Sequence, residues 1–307
     1  MANRTLKDSR TCPVCFSTKF SKLKFCSNSK NPFWRKCKNC KSIYANEIPT
    51  AAEIDEHYAG YYDGINLDIP DFVRSTLEKR LNGLSKYRTE LNSVLDIGFG
   101  AGVFLQAAQS QGWSCFGTEY SSDSIRIGVS NGWTVHKGDL SDGDLVGPFD
   151  IVAAIEVLEH VSNPEVIIKV SAERLRESGA LYGTTPNSQS INVKLLGERW
   201  SVLSYPEHQV LLNKRSIKLL FRNSNLKPIR IGSTGFNPID IINLLRVQVS
   251  KKNSSDKRDI DRVSGGYAIN SVFESRKTLS TIKKVINRIL TICGIGDSLV
   301  FLAEKAK

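Results

Sequence analysis

No stretch of the 307-residue chain reaches the ~18 consecutive apolar residues that a membrane-spanning helix needs. Its first ten residues, MANRTLKDSR, lead into cysteines without the apolar run of a secretory signal. The expected location is therefore the cytoplasm. A disulfide framework is missing too: of seven cysteines, five (Cys12, Cys15, Cys26, Cys37, Cys40) fall within the first forty residues, a clustering that suits a local metal site better than bridges across a secreted domain. Nor is the positive charge spread over the chain. The formal charge is +11, but residues 1–50 carry 11 basic and 2 acidic side chains and residues 237–292 carry 11 and 5, whereas residues 51–236 carry 18 and 22. The excess is peripheral, so a high pI does not by itself indicate a nucleic-acid binder. What remains is ordinary. With 40% hydrophobic and 24% charged residues, the composition is that of a globular chain with one full domain and room for small additions.

Cys12-Pro-Val-Cys15 and Cys37-Lys-Asn-Cys40 are two C-x-x-C pairs, a spacing that lets two sulfurs of one tight turn reach the same tetrahedral ion. The 21 residues between the pairs suffice for a short hairpin. Zinc is the expected ion, and its role is structural, because four protein ligands leave no open coordination position. Lys19, Lys22, Lys24, Arg35, Lys36, Lys38 and Lys41 soften the charge of about −2 on a four-thiolate zinc site. Cys26 stands outside both pairs and is expected to be a spectator.

From Asn92 onward short apolar strands alternate with amphipathic helices, the arithmetic of a parallel sheet covered on both faces. The spacing predicts strands at 94–97, 115–119, 133–136, 149–155, 180–184, 227–231 and 298–303, and helices at 103–111, 122–131 and 164–177. The turn Gly98-Phe99-Gly100-Ala101-Gly102 separates the first strand from its helix, and Glu119 ends the second strand 21 residues beyond Gly98. Glycines there let the backbone approach a ligand closely, and an acid at that distance can take both hydroxyls of a ribose. The dinucleotide fingerprint G-x-G-x-x-G/A is not met, since Val103 occupies its third place.

Val94 to Gly102, Gly117-Thr118-Glu119-Tyr120-Ser121, Gly138-Asp139-Leu140 and Ile155-Glu156-Val157-Leu158-Glu159-His160-Val161, in that order, resemble four motifs of the class I S-adenosylmethionine-dependent methyltransferases. The resemblance covers roughly Leu91 to the C-terminus. It implies a doubly wound, mostly parallel, seven-stranded α/β sheet (Rossmann-like), its last strand entering antiparallel, behind the small zinc-binding module. S-adenosylmethionine would then be bound by Gly98, Gly100 and Gly102 at its methionine part and by Glu119 at the ribose. Asp139 would take the adenine amino group, with Asp96, Tyr120, Leu140, Ile155 and Glu156 completing the site.

The fourth strand ends in Ile155-Glu156-Val157 rather than Asn/Asp-Pro-Pro-Tyr/Phe, which disfavours methylation of base amines. After the fifth strand, Trp200 to Gln209 places aromatics, an acid and an imidazole together. Its Tyr205-Pro206-Glu207-His208 is similar to the catalytic stretch of zinc-containing sugar C-methyltransferases, which act on nucleotide-linked keto-deoxysugars. That likeness implies His208 as base toward a carbon beside a ketone, Glu207 assisting and Tyr205 donating to the enolate oxygen. For a hydroxyl acceptor the same His208, or His160, would be the general base. His57 and His136 are expected to be structural, and Tyr58, Tyr61 and Tyr62 to form a lid or a packed cluster.

The expected organisation is a zinc module over 1–50, a helical connecting segment over 51–90 and a methyltransferase domain over 91–307. Within that domain, residues 237–292 form a basic helical insert suited to an anionic partner or a peripheral membrane contact. The expected acceptor is a small molecule, a sugar nucleotide or lipid-linked glycan, with no specific nucleic acid. Two rival readings are an O-methyltransferase of a glycan or metabolite, and a zinc-dependent nucleic-acid-binding protein on the same fold.

Overall fold

A computed structural model describes residues 10–23, 34–58, 71–141, 145, 147–236, 285 and 287–306. Cys26, Tyr61, Tyr62, the Tyr58 side chain and nearly all of the basic insert lie outside the described residues. The central sheet contains β4 (Ser93–Ile97), β5 (Ser114–Glu119), β6 (Thr134–Lys137), β7 (Phe149–Ile155), β8 (Leu175–Pro186), β10 (Leu226–Thr234) and β11 (Ser298–Lys305), in the order β10-β11-β8-β7-β4-β5-β6. The pairings β8/β7, β7/β4, β4/β5 and β5/β6 are parallel, while β11 is antiparallel to both neighbours, as expected.

Strand residues alternate between two apolar layers. Leu95, Ile97, Val152, Ala154 and Leu181 face one side, where α5 (Pro164–Arg174) and α7 (Lys214–Asn223) add Ile167, Ile168, Ile217, Leu220 and Phe221. Val94, Ile151, Ala153, Ala180 and Tyr182 face the other, covered by α2 (Asp71–Leu84) and α3 (Val103–Ser110) through Leu77, Leu81, Phe104 and Leu105, with α4 (Ser122–Ser130) adding partly buried Ile125 and Ile127. A strand buried on both faces needs the continuous apolar runs that this sequence has, and each large side chain so buried contributes about 1.5–3 kcal/mol. The helix starts are capped: Ser121 accepts from Ser124 N–H, Asn163 from Glu165 N–H ahead of Pro164, and Asn213 forms a reciprocal capping box with Ser216.

Helix α5 stops at Arg174, short of the expected 177, and β8 starts at Leu175. Leu175 pairs with Phe149 and is 1% exposed, so tertiary pairing and burial override the local helix preference.

The N-terminal strands β1 (Phe20–Lys22), β2 (Trp34–Cys37) and β3 (Ile43–Ala45) form a second sheet completed by β9 (Val210–Leu211) from far along the chain. Ile43 pairs with Leu211 and Tyr44 with Val210. Trp34, Ile43 and Ala45 share an apolar cluster with Val193, Leu196, Trp200, Leu203 and Leu211. Cys12, Cys37, Cys40 and Tyr44 belong to the core layer that also holds α5 and α7.

At the far end of β7, fully buried Asp150 accepts from Thr89 Oγ1 (2.6 Å), Arg176 Nε (2.6 Å) and the Ser93 N–H (3.2 Å). Burial pushes its carboxyl up, but the bonds from Thr89, Arg176 and Ser93 outweigh that and hold it below its ordinary value. A depressed folded-state pKa stabilises above the unfolded value of about 3.9 and loses that contribution as pH falls through the folded value. Asp150→Asn should therefore cost about 2–3 kcal/mol near neutral pH and flatten the fall of stability below pH ~4, as checked by urea denaturation across pH.

Candidate functional site

Strand order reverses at β4: the chain proceeds outward through β5 and β6, then crosses back to place β7 on β4's other side. Loops leaving the carboxyl ends of β4 and β7 diverge there, which opens the crevice where ligands bind in open parallel sheets. Gly98, Gly100 and Gly102 have φ of 60°, 52° and 74°, so the turn after β4 is wound through the left-handed region. At Gly102 a side chain is excluded twice over, because a Cβ would also stand 2.5 Å from the Trp133 ring. Gly98 N–H donates to Thr118 O (2.8 Å) and Gly138 N–H to Glu119 O (3.0 Å), which ties the loops after β4, β5 and β6 together.

The Glu119 carboxylate accepts from Gly100 N–H (2.8 Å) and Tyr120 N–H (2.7 Å), and so lies against the glycine turn. Asp96, 3% exposed, has a buried Oδ1 with no hydrogen-bond partner among the described residues. Burial first, and the Glu119 charge second, push its carboxyl well above the ordinary range. Asp139 is half-buried with Oδ1 accepting from Leu140 N–H (2.9 Å), and the Tyr120 ring is exposed at the rim. Glu156 has φ of +54° and donates its N–H to Thr184 O (2.9 Å), turning the chain off β7 so that Val157 approaches Gly98. A backbone cradle, carboxylates beside it and an unpartnered buried acid oxygen suit a cationic nucleoside cofactor; Gly98, Gly100, Gly102, Glu119 and Asp139 are the residues that would hold it.

Three residues beyond Glu156 lies a second constellation. Glu159, His160 and His208 each present a ligand atom within 4.8 Å of the others. The imidazoles pack edge to face with centroids 4.7 Å apart. His160 Nδ1 bonds to Glu207 O at 3.0 Å and His208 Nδ1 to Val202 O at 2.5 Å. A carbonyl only accepts, so in the neutral rings Nδ1 carries the hydrogen and Nε2 the lone pair. Glu159 is 1% exposed; Thr185 Oγ1 donates to its Oε2 (3.0 Å), and His160 Nε2 stands 3.9 Å from its Oε1. Burial, with neighbouring Glu156 second, drives the Glu159 carboxyl well above its ordinary value.

The two histidines expected at the acceptor site are thus brought together. The carboxylate accompanying them is Glu159, and what Glu207 adds here is its backbone carbonyl. Tyr205 packs against the Trp34–Trp200 cluster. Glu159 was visible in Glu156-Val157-Leu158-Glu159-His160, but a single sequence does not show that its carboxylate meets an imidazole 49 positions away.

The N-terminal module holds this second constellation from behind. Gln209 N–H and Val210 N–H both donate to Glu159 O (2.7 and 3.2 Å), and Ala45 N–H donates to Gln209 O (3.0 Å). Arg10 donates to Ala45 O (3.1 Å) and also to Ser162 O. Cys12, Cys15, Cys37 and Cys40 gather their sulfurs within 4.8 Å, with Cys12–Cys40 at 3.4 Å and Cys15–Cys37 at 3.5 Å. The Cys12 thiol is pushed up by its bond to Cys40 and by burial, and the same bond draws Cys40 down. Four gathered sulfurs, three of them buried, fit a structural zinc ion.

Sheet order, glycine turn and terminal acid define an α/β protein built around a nucleoside-cofactor crevice. A family model described as a methyltransferase domain matches residues 71–231, just over half of the chain, and the chain belongs to this family of class I S-adenosylmethionine-dependent methyltransferases. Among curated relatives, a ubiquinone biosynthesis O-methyltransferase of Idiomarina loihiensis is 25% identical over 161 residues, which is 48% of this chain and 66% of the relative. The protein of the same name from Xylella fastidiosa is 32% identical over 118 residues, 35% of this chain and 48% of the relative. The matches thus span less than two thirds of these relatives' length. A chain from the Haloferax volcanii complex of the Trm112 methyltransferase activator with a methyltransferase aligns with a TM-score of 0.50 at 14% identity, covering 84% of this chain and 98% of that one; that likeness concerns the fold alone.

Replacing Cys12 or Cys40 by Ser should remove one zinc ion per chain in native mass spectrometry. Because the module shares β9 with the body, either change should also lower the thermal midpoint of the whole chain.

Proposed function

We propose that this protein transfers the methyl group of S-adenosylmethionine to an oxygen of a small-molecule acceptor bound against Glu159, His160 and His208. The observation that carries the reading is position: the imidazole–carboxylate cluster leaves the same strand end, β7, that borders the glycine turn. Nothing on the chain need activate the donor, whose sulfonium already makes its methyl electrophilic. What the protein supplies is alignment and exclusion of water.

The turn from Gly98 to Gly102 would hold the amino-acid part of the cofactor, Glu119 the ribose hydroxyls, Asp139 the adenine, and Asp96 would brace the turn from below. The acceptor oxygen would stand against Glu159, His160 and His208, which together lower the cost of losing its proton. The names of the curated relatives support an oxygen acceptor. A second reading, methylation at carbon of a nucleotide- or carrier-linked sugar, is favoured by the gathered four-cysteine site ahead of Tyr205-Pro206-Glu207-His208. In both readings residues 1–50 act as a zinc-braced support of the acceptor side and residues 91–307 as the transferase domain.

Calorimetric titration should show saturable binding of S-adenosylmethionine and none of NAD. Glu119→Ala should weaken that binding about tenfold or more, the worth of one charge-assisted hydrogen bond. His208→Ala should leave it unchanged while lowering turnover roughly 10²-fold or more. An unaltered rate would remove His208 from the mechanism.

A further inference from the structure

We propose that Glu159, His160 and His208 form a divalent-cation site, distinct from the four-cysteine site, whose open positions take an oxygen of the acceptor. The inference rests on the crevice being the methyl-transfer site and specifies how its acceptor is held.

Three observations converge. Ligand atoms of the three residues already lie within 4.8 Å of one another, so small side-chain rotations bring them to the ~2.0–2.2 Å bonds of a common ion. Each ligand is also oriented from behind: Glu207 O and Val202 O fix both imidazoles with Nε2 as the lone-pair atom, and Thr185 Oγ1 holds the Glu159 oxygen Oε2 while Oε1 faces His160. Backbone or carboxylate acceptors on the remote nitrogen are how proteins set histidine ligands toward a metal. Finally, the cluster gathers oxygen and nitrogen lone pairs in a dry place. Glu159 is 1% and His208 3% exposed. A bound cation offsets the burial of the Glu159 carboxylate.

Two imidazoles and a carboxylate suit first-row divalent ions such as Mn2+, Fe2+ or Zn2+, and three protein ligands leave positions for substrate. His160 has a side chain 26% exposed and marks the open side. An acceptor hydroxyl bound there becomes more acidic. In the transfer its proton leaves to solvent, an oxygen electron pair forms the new O–C bond, and the methyl–sulfur bond breaks with its pair staying on sulfur. The products are the methyl ether, neutral S-adenosylhomocysteine and one proton. In this arrangement the histidines act as ligands, and the acidified hydroxyl needs no imidazole base.

Mn2+ is the discriminating probe, because it prefers nitrogen and oxygen donors to thiolates. Chelator-treated, zinc-reloaded whole protein is titrated with Mn2+ while free ion is followed by electron paramagnetic resonance. One saturable site per chain is expected in addition to the retained zinc, weakened at least tenfold in Glu159→Gln and His160→Ala. Absence of saturable Mn2+ binding in the folded wild-type protein, together with no second zinc by mass spectrometry, overturns the site; so does binding unchanged in both variants. The wild-type stoichiometry decides even where a variant fails to fold. S-adenosylmethionine titration of the chelator-treated protein is read separately: failure there removes the transferase reading and leaves the cation count untouched.

Discussion

Everything at the working end of this molecule follows from the reversal of strand order at β4. A sheet that grows from one strand in both directions leaves two neighbouring loops that cannot cover each other. The loops after β4 and β7 part at that seam, and the residues that need a ligand collect there. The glycine turn lies on one side, anchored by Thr118 O and the Glu119 carboxylate. On the other, the left-handed backbone at Glu156 redirects the chain so that Glu159 and His160 follow directly. The cofactor crevice and the Glu159–His160–His208 cluster thereby share one strand end.

A two-residue strand, β9, couples the module to that seam. Pairing Ile43 with Leu211 and Tyr44 with Val210 locks the segment immediately after His208, and the Gln209 and Val210 N–H groups pass the constraint to Glu159. The four cysteines are thus part of the support of the Glu159–His160–His208 cluster, packed in or against the core layer that carries α5 and α7.

Much of this was legible in the residues. The runs at 94–97, 115–119 and 149–155 read as strands because parallel strands buried on both faces must be apolar nearly throughout. The left-handed turn could be read from Gly98, Gly100 and Gly102, and the gathering of Cys12, Cys15, Cys37 and Cys40 from their paired spacing. The end of α5 was misplaced because Leu175 is drawn into the sheet by Phe149, a partner 26 positions earlier. Glu207 adjoins His208 in sequence, while the carboxylate that the fold gathers with both imidazoles is Glu159.

The sequence by itself determined the kind of sheet, the kind of cofactor crevice and the paired cysteines of the N-terminus, because each rests on local periodicity or on spacings within a single turn. Only the tertiary structure decided that His160 and His208 pack edge to face, that Glu159 is the carboxylate beside them and that the cysteine module braces them. Those contacts join residues 48 to 168 positions apart, such as Ile43, Ala45 and His160 with the segment at His208–Leu211. Their geometry is set by how strands β3, β7 and β9 close on one another, which no local pattern encodes.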